Sequence, residues 1–196
     1  MKPKKCKNCG NKFEPQRPLQ QICNYKCAIE LSQKTAKKES AKLWKVEKKA
    51  MKDKLKTISD HKKDLEHLIN KLVRIIDYGQ PCISCGRNGK PQAGHYHTVN
   101  SNPSIRFNLF NIFLQDYYCN VELSSNLKGY NKGLIDTFGT TIKEYVEHDI
   151  VRIYPSINLT INDIKEKIVI VRNILKDKPH ERNYSKEERL SLRTHY

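Results

Sequence analysis

PCISCGRNGKPQAGHYHTVNSN, residues 81–102, sets a Cys-x-x-Cys-Gly turn a few positions ahead of two histidines separated by one tyrosine. Cys82-x-x-Cys85-Gly86 reads as a knuckle that offers two soft sulfur ligands, and Ala93 to Val99 reads as a short extended piece. Side chains alternate along a strand, so an extended Ala93 to Val99 sends His95 and His97 to the same face. From these residues alone the pair is open to three uses: holding a metal, moving a proton, or packing. The knuckle also lacks its second half. Downstream stands only Cys119, with Asp116 three residues before it where a second thiolate is expected. Three outcomes stay open: a second zinc at Cys82, Cys85, Asp116 and Cys119 with a carboxylate oxygen as fourth ligand, the same ion with a histidine in its place, or no zinc here at all.

Working back from this segment, Tyr78-Gly79-Gln80-Pro81 ends whatever precedes it, because Gly and Pro do not continue a helix. A new domain is expected from residue 78. Between residues 29 and 78 there is neither Gly nor Pro, and Lys, Glu, Ala and Leu dominate, which predicts a long basic helix or a helix pair over residues 31–77. Met51, Leu55, Ile58, Leu65, Ile69, Leu72 and Ile76 fall on a 4-3 spacing that Lys62 interrupts. Such a seam suits a coiled coil, and hence a homodimer, or docking on a neighbouring domain.

Residues 1–30 form a polar segment with too little apolar surface to fold unaided. Cys6-x-x-Cys9 and Cys23-x-x-x-Cys27 supply four thiolates in two pairs, the tetrahedral set that structural Zn²⁺ prefers, and Gly10 permits the positive φ such a knuckle uses. A site closed by four cysteines has no open position for water, so its role is architecture. Lys2, Lys4, Lys5, Lys7, Lys12 and Arg17 around it are candidate phosphate contacts.

Beyond the opening segment, NLFNIFLQDYYC (residues 108–119) predicts a buried strand, and helices follow from about Glu122 through Ile150. Tyr154-Pro155-Ser156 breaks them, and Thr160 or Asn162 can cap a last helix whose apolar stripe runs Ile164, Ile168, Val171, Leu175. The stretch 153–178 is thus the C-terminal helix, and 179–196 a loose charged tail. Tyr117, Tyr118 and Tyr130 are expected in the core and Trp44 in an interhelical contact; Arg106 is expected to meet phosphate or a surface carboxylate.

The chain carries a net charge of +16, with 37 Lys and Arg against 21 acids. That excess points to a polyanion as partner, nucleic acid first. It is concentrated in residues 1–77, which hold 21 basic and 9 acidic side chains. No run of about 18 apolar residues occurs and the start MKPKKCKNCG has no apolar core of a signal peptide, so the expected location is the cytoplasm. In that reducing compartment seven cysteines, six of them in short-spaced pairs, read as metal thiolates.

Taken in order, PCISCGR, AGHY, RFNLFN (106–111), Gln115, Cys119-Asn120, and LSSN (123–126) with Tyr130 resemble the NinG (Rap) family of phage recombination proteins. The N-terminal CxxC-G-x-x-F, the later CxxxC, the basic helix and YPSINLTINDI extend the likeness over nearly the whole chain. The resemblance implies an α+β fold in which residues 78–152 form a ββα-metal core of the HNH type. It implies a structure-specific endonuclease acting on branched DNA such as a Holliday junction or D-loop. His95 would then be the general base, Asn111 would orient the His-bearing loop, and Asn126 would bind a catalytic Mg²⁺ or Mn²⁺, with His97 as a further ligand or phosphate contact. Three positions depart from the family pattern: Asp116 for a cysteine, Ser125 for a glycine, and Gly94 where many HNH enzymes carry a metal ligand. The competing class is a non-catalytic module that binds branched DNA or recruits recombination partners.

Overall fold

The computed structural model describes residues 2–154, 158–177, 182–194 and 196. It divides into two units, one ending at Lys56 and one beginning at Thr57.

In the first unit, β1 (Lys4–Lys5) pairs antiparallel with β2 (Lys12–Phe13), and α1 (Tyr25–Lys54) follows. Asn24 caps α1 by accepting from the Cys27 amide at 2.9 Å, which fixes the helix start between Cys23 and Cys27. Cys27 is the one buried residue of α1. Trp44, Val46 and Met51 are exposed, so α1 is a solvated lysine-rich helix, and the interhelical contact expected of Trp44 is not made among the described residues.

The expected seam breaks after Lys54. Thr57 and Asp60 form a reciprocal capping box that starts α2 (Ile58–Ile76), and a cap cannot sit inside a continuous helix. Of the two expectations for residues 31–77 the helix pair is the one found, and its second member, α2, belongs to the unit that follows. Its Leu65, Ile69, Leu72 and Ile76 are buried against Ile164, Ile168, Val171 and Leu175 of α6 (Ile161–Asp177), while Met51 and Leu55 stay exposed. That half of the seam is covered within the chain and is not free to pair two chains. As expected, Thr160 caps α6, through a second box with Asp163.

Against the α2–α6 pair, on the α2 side, lies a two-stranded sheet. β3 (Pro91–His95) pairs antiparallel with β4 (Ile112–Asp116), Gly94 opposite Phe113 and His95 opposite Ile112. Ile112 and Ala93 join the α2–α6 core, whereas Phe113 turns to the opposite side and packs with Tyr130, Leu134 and Phe138 of α3 (Leu127–Phe138). α4 (Thr140–Glu144), a π-helical turn (Tyr145–Asp149) and α5 (Ile150–Ile153) complete that side. The expected break at Pro155 and Ser156 lies outside the described residues.

The expected loose tail is a packed segment in residues 182–194 and 196. Ser185 and Glu188 form a third capping box, starting α7 (Lys186–Ser191). Tyr184 and Tyr196 sit in the α2–α6 core, and Arg189 and Arg193 are buried. Residues 179–181 and 195 lie outside the described residues.

Between the π-helical turn Tyr118–Glu122 and α3, Ser124, Ser125 and Asn126 are all left-handed, with φ of 47°, 75° and 43°. L-residues lose about 1–2 kcal/mol each in this region. The left-handed turn is thus built from non-glycine residues, at a cost. Ser125→Gly is expected to raise stability by about 0.5–1 kcal/mol, seen as a thermal midpoint a few degrees higher. A lower midpoint would contradict the strain.

Candidate functional site

His95 ends β3, and its ring is only partly buried. Nε2 lies 3.1 Å from the Arg106 carbonyl. A carbonyl only accepts, so Nε2 carries the hydrogen and Nδ1 keeps a lone pair in the neutral ring. Burial pushes the His95 pKa below its usual 6.5, outweighing the Arg106 carbonyl bond and the Glu66 carboxylate, which act the other way. A neutral imidazole with one nitrogen anchored and the other free is the form a proton acceptor needs.

The chain leaves the strand directly after His95. Tyr96 and His97 form a bend, so the two histidines do not share a strand face as the spacing predicted. The bend is held by Asn111, which is fully buried at the end of a 3-10 turn (Leu109–Asn111). Its Oδ1 accepts from the His97 amide at 2.8 Å, its Nδ2 donates to the His97 carbonyl at 3.1 Å, and its own carbonyl accepts from the Tyr96 amide at 2.8 Å. The His97 ring points elsewhere, with Nε2 donating to the Val146 carbonyl at 2.8 Å in the π-helical turn.

Gly94 takes up the departure noted in the sequence. A Cβ there would run into the buried Gln115 amide, whose Nε2 is bonded to Ser84 Oγ and the Ser125 carbonyl. A metal-ligating side chain at 94 has no room. The Gly94 carbonyl accepts from Tyr130 Oη at 2.9 Å, and the same hydroxyl accepts from the Phe113 amide at 3.0 Å, so one buried tyrosine fastens both strands. Tyr130 is core, as expected; Tyr117 and Tyr118 are exposed, beneath Lys90 and Arg87 respectively.

Asn126 does not join the histidines through any hydrogen bond among the described residues. Its Oδ1 accepts from the Gly129 amide at 3.4 Å as the cap of α3, and its Nδ2 donates to Cys119 Sγ at 3.6 Å. The Asn126 side chain thus serves the α3 cap and Cys119, while the His97 ring serves the Val146 carbonyl. Of the two expectations for Arg106 the structure shows the carboxylate: the side chain pairs with Glu66 and lies against the Phe107 ring.

Two groups of metal-ligating side chains converge among the described residues: Cys6, Cys9, Cys23 and Cys27, and Cys82, Cys85 and Cys119, with the sulfurs of each within 4.8 Å of one another. Tetrahedral zinc with Zn–S near 2.3 Å places its sulfurs about 3.8 Å apart. Cys9 to Cys23 is 3.7 Å and Cys23 to Cys27 is 3.5 Å, so the first set fits the ion. The knuckle's backbone prepares it: the Cys9 amide, more than any other group, brings the Cys6 thiol down to about 6, and Gly10 has φ of 76°. The second set has three sulfurs. Asp116, expected as its fourth ligand, is not in the group, and its carboxylate lies over Gly89 instead. Against the burial that raises it, hydrogen bonds from Arg87 hold the Cys85 thiol at about 7. Three converging sulfurs suit zinc with its fourth position open. α3 seals this knuckle through Gly129 and Gly133, where a Cβ would collide with the Ser84 and Ile83 carbonyls.

Cys27→Ser is expected to remove one zinc ion per chain and unfold the β1–β2 knuckle while unit 2 keeps its structure. Elemental analysis together with amide exchange checks this, and full zinc content in the variant would contradict the four-sulfur site.

Lys2, Lys4, Lys5, Lys7, Lys12 and Arg17 are all exposed around the first cluster. Sequence reasoning missed Tyr96, whose hydroxyl donates to Asn131 Oδ1 at 2.7 Å and lies 3.3 Å from Glu147, and it missed Arg193. Neither stands in a spacing that periodicity reveals. No helix among the described residues is long and apolar enough to cross a membrane.

The family described as "Bacteriophage Lambda NinG protein" matches residues 1–181. Protein ninG of Salmonella phage P22 is 32% identical over 164 residues, covering 74% of this chain and 81% of the relative. Protein ninG of Escherichia phage lambda is 33% identical over 162 residues, 74% of this chain and 79% of the relative. That of Escherichia phage 933W is 32% identical over 160 residues, with 74% and 80% covered. No solved structure matches.

Proposed function

The chain belongs to the NinG family, and from that premise we propose that it is an HNH-type, structure-specific DNA endonuclease acting on branched recombination intermediates in the host cytoplasm. The observation that carries the reading is His95: a partly buried, neutral imidazole at the end of β3, with one nitrogen fixed by the Arg106 carbonyl and the adjoining bend clamped by Asn111. Nδ1 takes a proton from water as the water attacks the phosphorus, and the strand's 3′ oxygen leaves. Anchored at Nε2 and followed by a clamped bend, the ring loses little freedom when DNA arrives, which is where positioning lowers the barrier. The exposed lysines of unit 1 grip phosphates and carry no sequence information, as befits an enzyme that reads shape.

The developing charge on a pentavalent phosphate also calls for a cation. Asn126 and His97 would be the residues to hold such a cation, which would stabilise that charge; in the structure both are hydrogen-bonded within the protein, so Mg²⁺, Mn²⁺ and EDTA are arms of the assay. The competing reading, a non-catalytic module for branched DNA, draws on the same internal bonding of His97 and Asn126. Purified protein mixed with a labelled four-way junction, a D-loop and linear duplex separates the two. Metal-dependent nicking near the branch is expected, with duplex left largely whole. Tight junction binding with no nick in either metal would establish the module and end the nuclease reading.

A further inference from the structure

Unit 2 contains a buried charge cluster that the proposed chemistry does not use, in which Arg189 and Arg193, beyond the 1–181 family match, meet Asp77 within it. The Arg193 side chain is 0% exposed. Its Nη1 donates to the carbonyls of Leu109 and Ile112, each at 2.8 Å, and its Nη2 donates to both carboxylate oxygens of Asp77 at 2.6 and 2.8 Å. The guanidinium lies 3.7 Å over the Phe113 ring. Asp77, the C-cap of α2, also accepts from the Leu114 amide at 3.0 Å. The same segment adds a backbone bond from the Leu109 amide to the Thr194 carbonyl at 2.9 Å.

Leu109 and Ile112 flank the turn that carries Asn111, and Asn111 makes the bonds that shape the bend after His95. A planar guanidinium presents its donors in a fixed fork, so it spans two backbone carbonyls and a carboxylate at once; a lysine ammonium is a single point and cannot. We propose that Arg193 is a positioning residue for the His95 site: it locks the Leu109–Ile112 turn from behind and thereby sets Asn111 against the loop. The packing half of this stands on the structure alone, while its consequence for cutting rests on the nuclease reading.

Arg193→Lys tests it. Amide exchange at Tyr96 and His97, whose N–H groups bond to Asn111, is expected to speed about tenfold or more relative to α6 amides of the same chain. Single-turnover junction cutting should fall about tenfold to a hundredfold, with junction affinity within about twofold. Val171→Ala in α6, in the same core as Leu109 and Ile112 but outside the fork's hydrogen bonds, serves as a control for core destabilisation, and it should change Tyr96 and His97 exchange only in step with the α6 amides. If Arg193→Lys does not fold, Asp77→Asn loosens the same fork and should shift the same two amides by less. Exchange at Tyr96 and His97 that is unchanged, or that rises only in step with α6, overturns the proposal. A wild-type chain that cuts no junction ends the nuclease reading instead, and the exchange result still decides the role of Arg193.

Discussion

His95→Ala is expected to slow junction cutting by about 10²–10⁴-fold while junction affinity stays within about twofold. The asymmetry follows from geometry. The ring offers one free nitrogen and is fastened by the other to the Arg106 carbonyl, so its removal takes away a proton acceptor and leaves the lysine-rich first unit untouched. His97→Ala should behave differently. That ring is tied to the Val146 carbonyl, so its loss loosens the bend and lowers the rate less than loss of His95 does. Equal losses in the two variants would mean that the histidines act as a pair and that the single-base account is wrong.

Asp77→Ala is expected to cost about 3–5 kcal/mol, because removing one partner of a buried ion pair leaves the other charge uncompensated. Here the stranded group is Arg193, with Arg189 Nη1 also 3.6 Å from the lost carboxylate. Leu114 loses the acceptor for its amide in the same step, at the centre of β4. In a domain of this size the loss corresponds to a fall in melting temperature of about 10 °C, measurable by calorimetry. Asp77→Leu combined with Arg193→Met should be milder than Asp77→Ala alone, since apolar side chains of similar volume leave no buried charge behind. A double variant worse than the single would show that the fork to the Leu109 and Ile112 carbonyls, rather than charge balance, dominates.

Much of this was written in short-range patterns. Four cysteines in two close pairs converge in space because each pair is local and only one loop must close. Thr57-Ile-Ser-Asp60, Thr160-Ile-Asn-Asp163 and Ser185-Lys-Glu-Glu188 are capping boxes that start α2, α6 and α7. Only the second was read as a helix start. The first was hidden by good helix formers on both sides, and the third by a charged context that looks like a solvated tail. What the sequence did not hold was long-range. The contact of Arg193 with Asp77 spans 116 positions, and no periodicity encodes it. Asn126 looked like a metal ligand by its place in LSSN, yet the left-handed turn aims its amide at Cys119. Backbone handedness at three successive non-glycine residues is not a property composition reveals.

The most direct test is the single-turnover rate of four-way junction cutting as a function of pH. Burial holds the His95 pKa below its usual 6.5, so the base is already neutral near neutrality and becomes protonated only in acid. The rate should rise about tenfold per pH unit in acid, bend below 6.5, and stay flat from about pH 7 to 9; His95→Ala should lose the bend. A junction left uncut at every pH, or a rate still climbing tenfold per unit above about pH 8, would contradict His95 as the base.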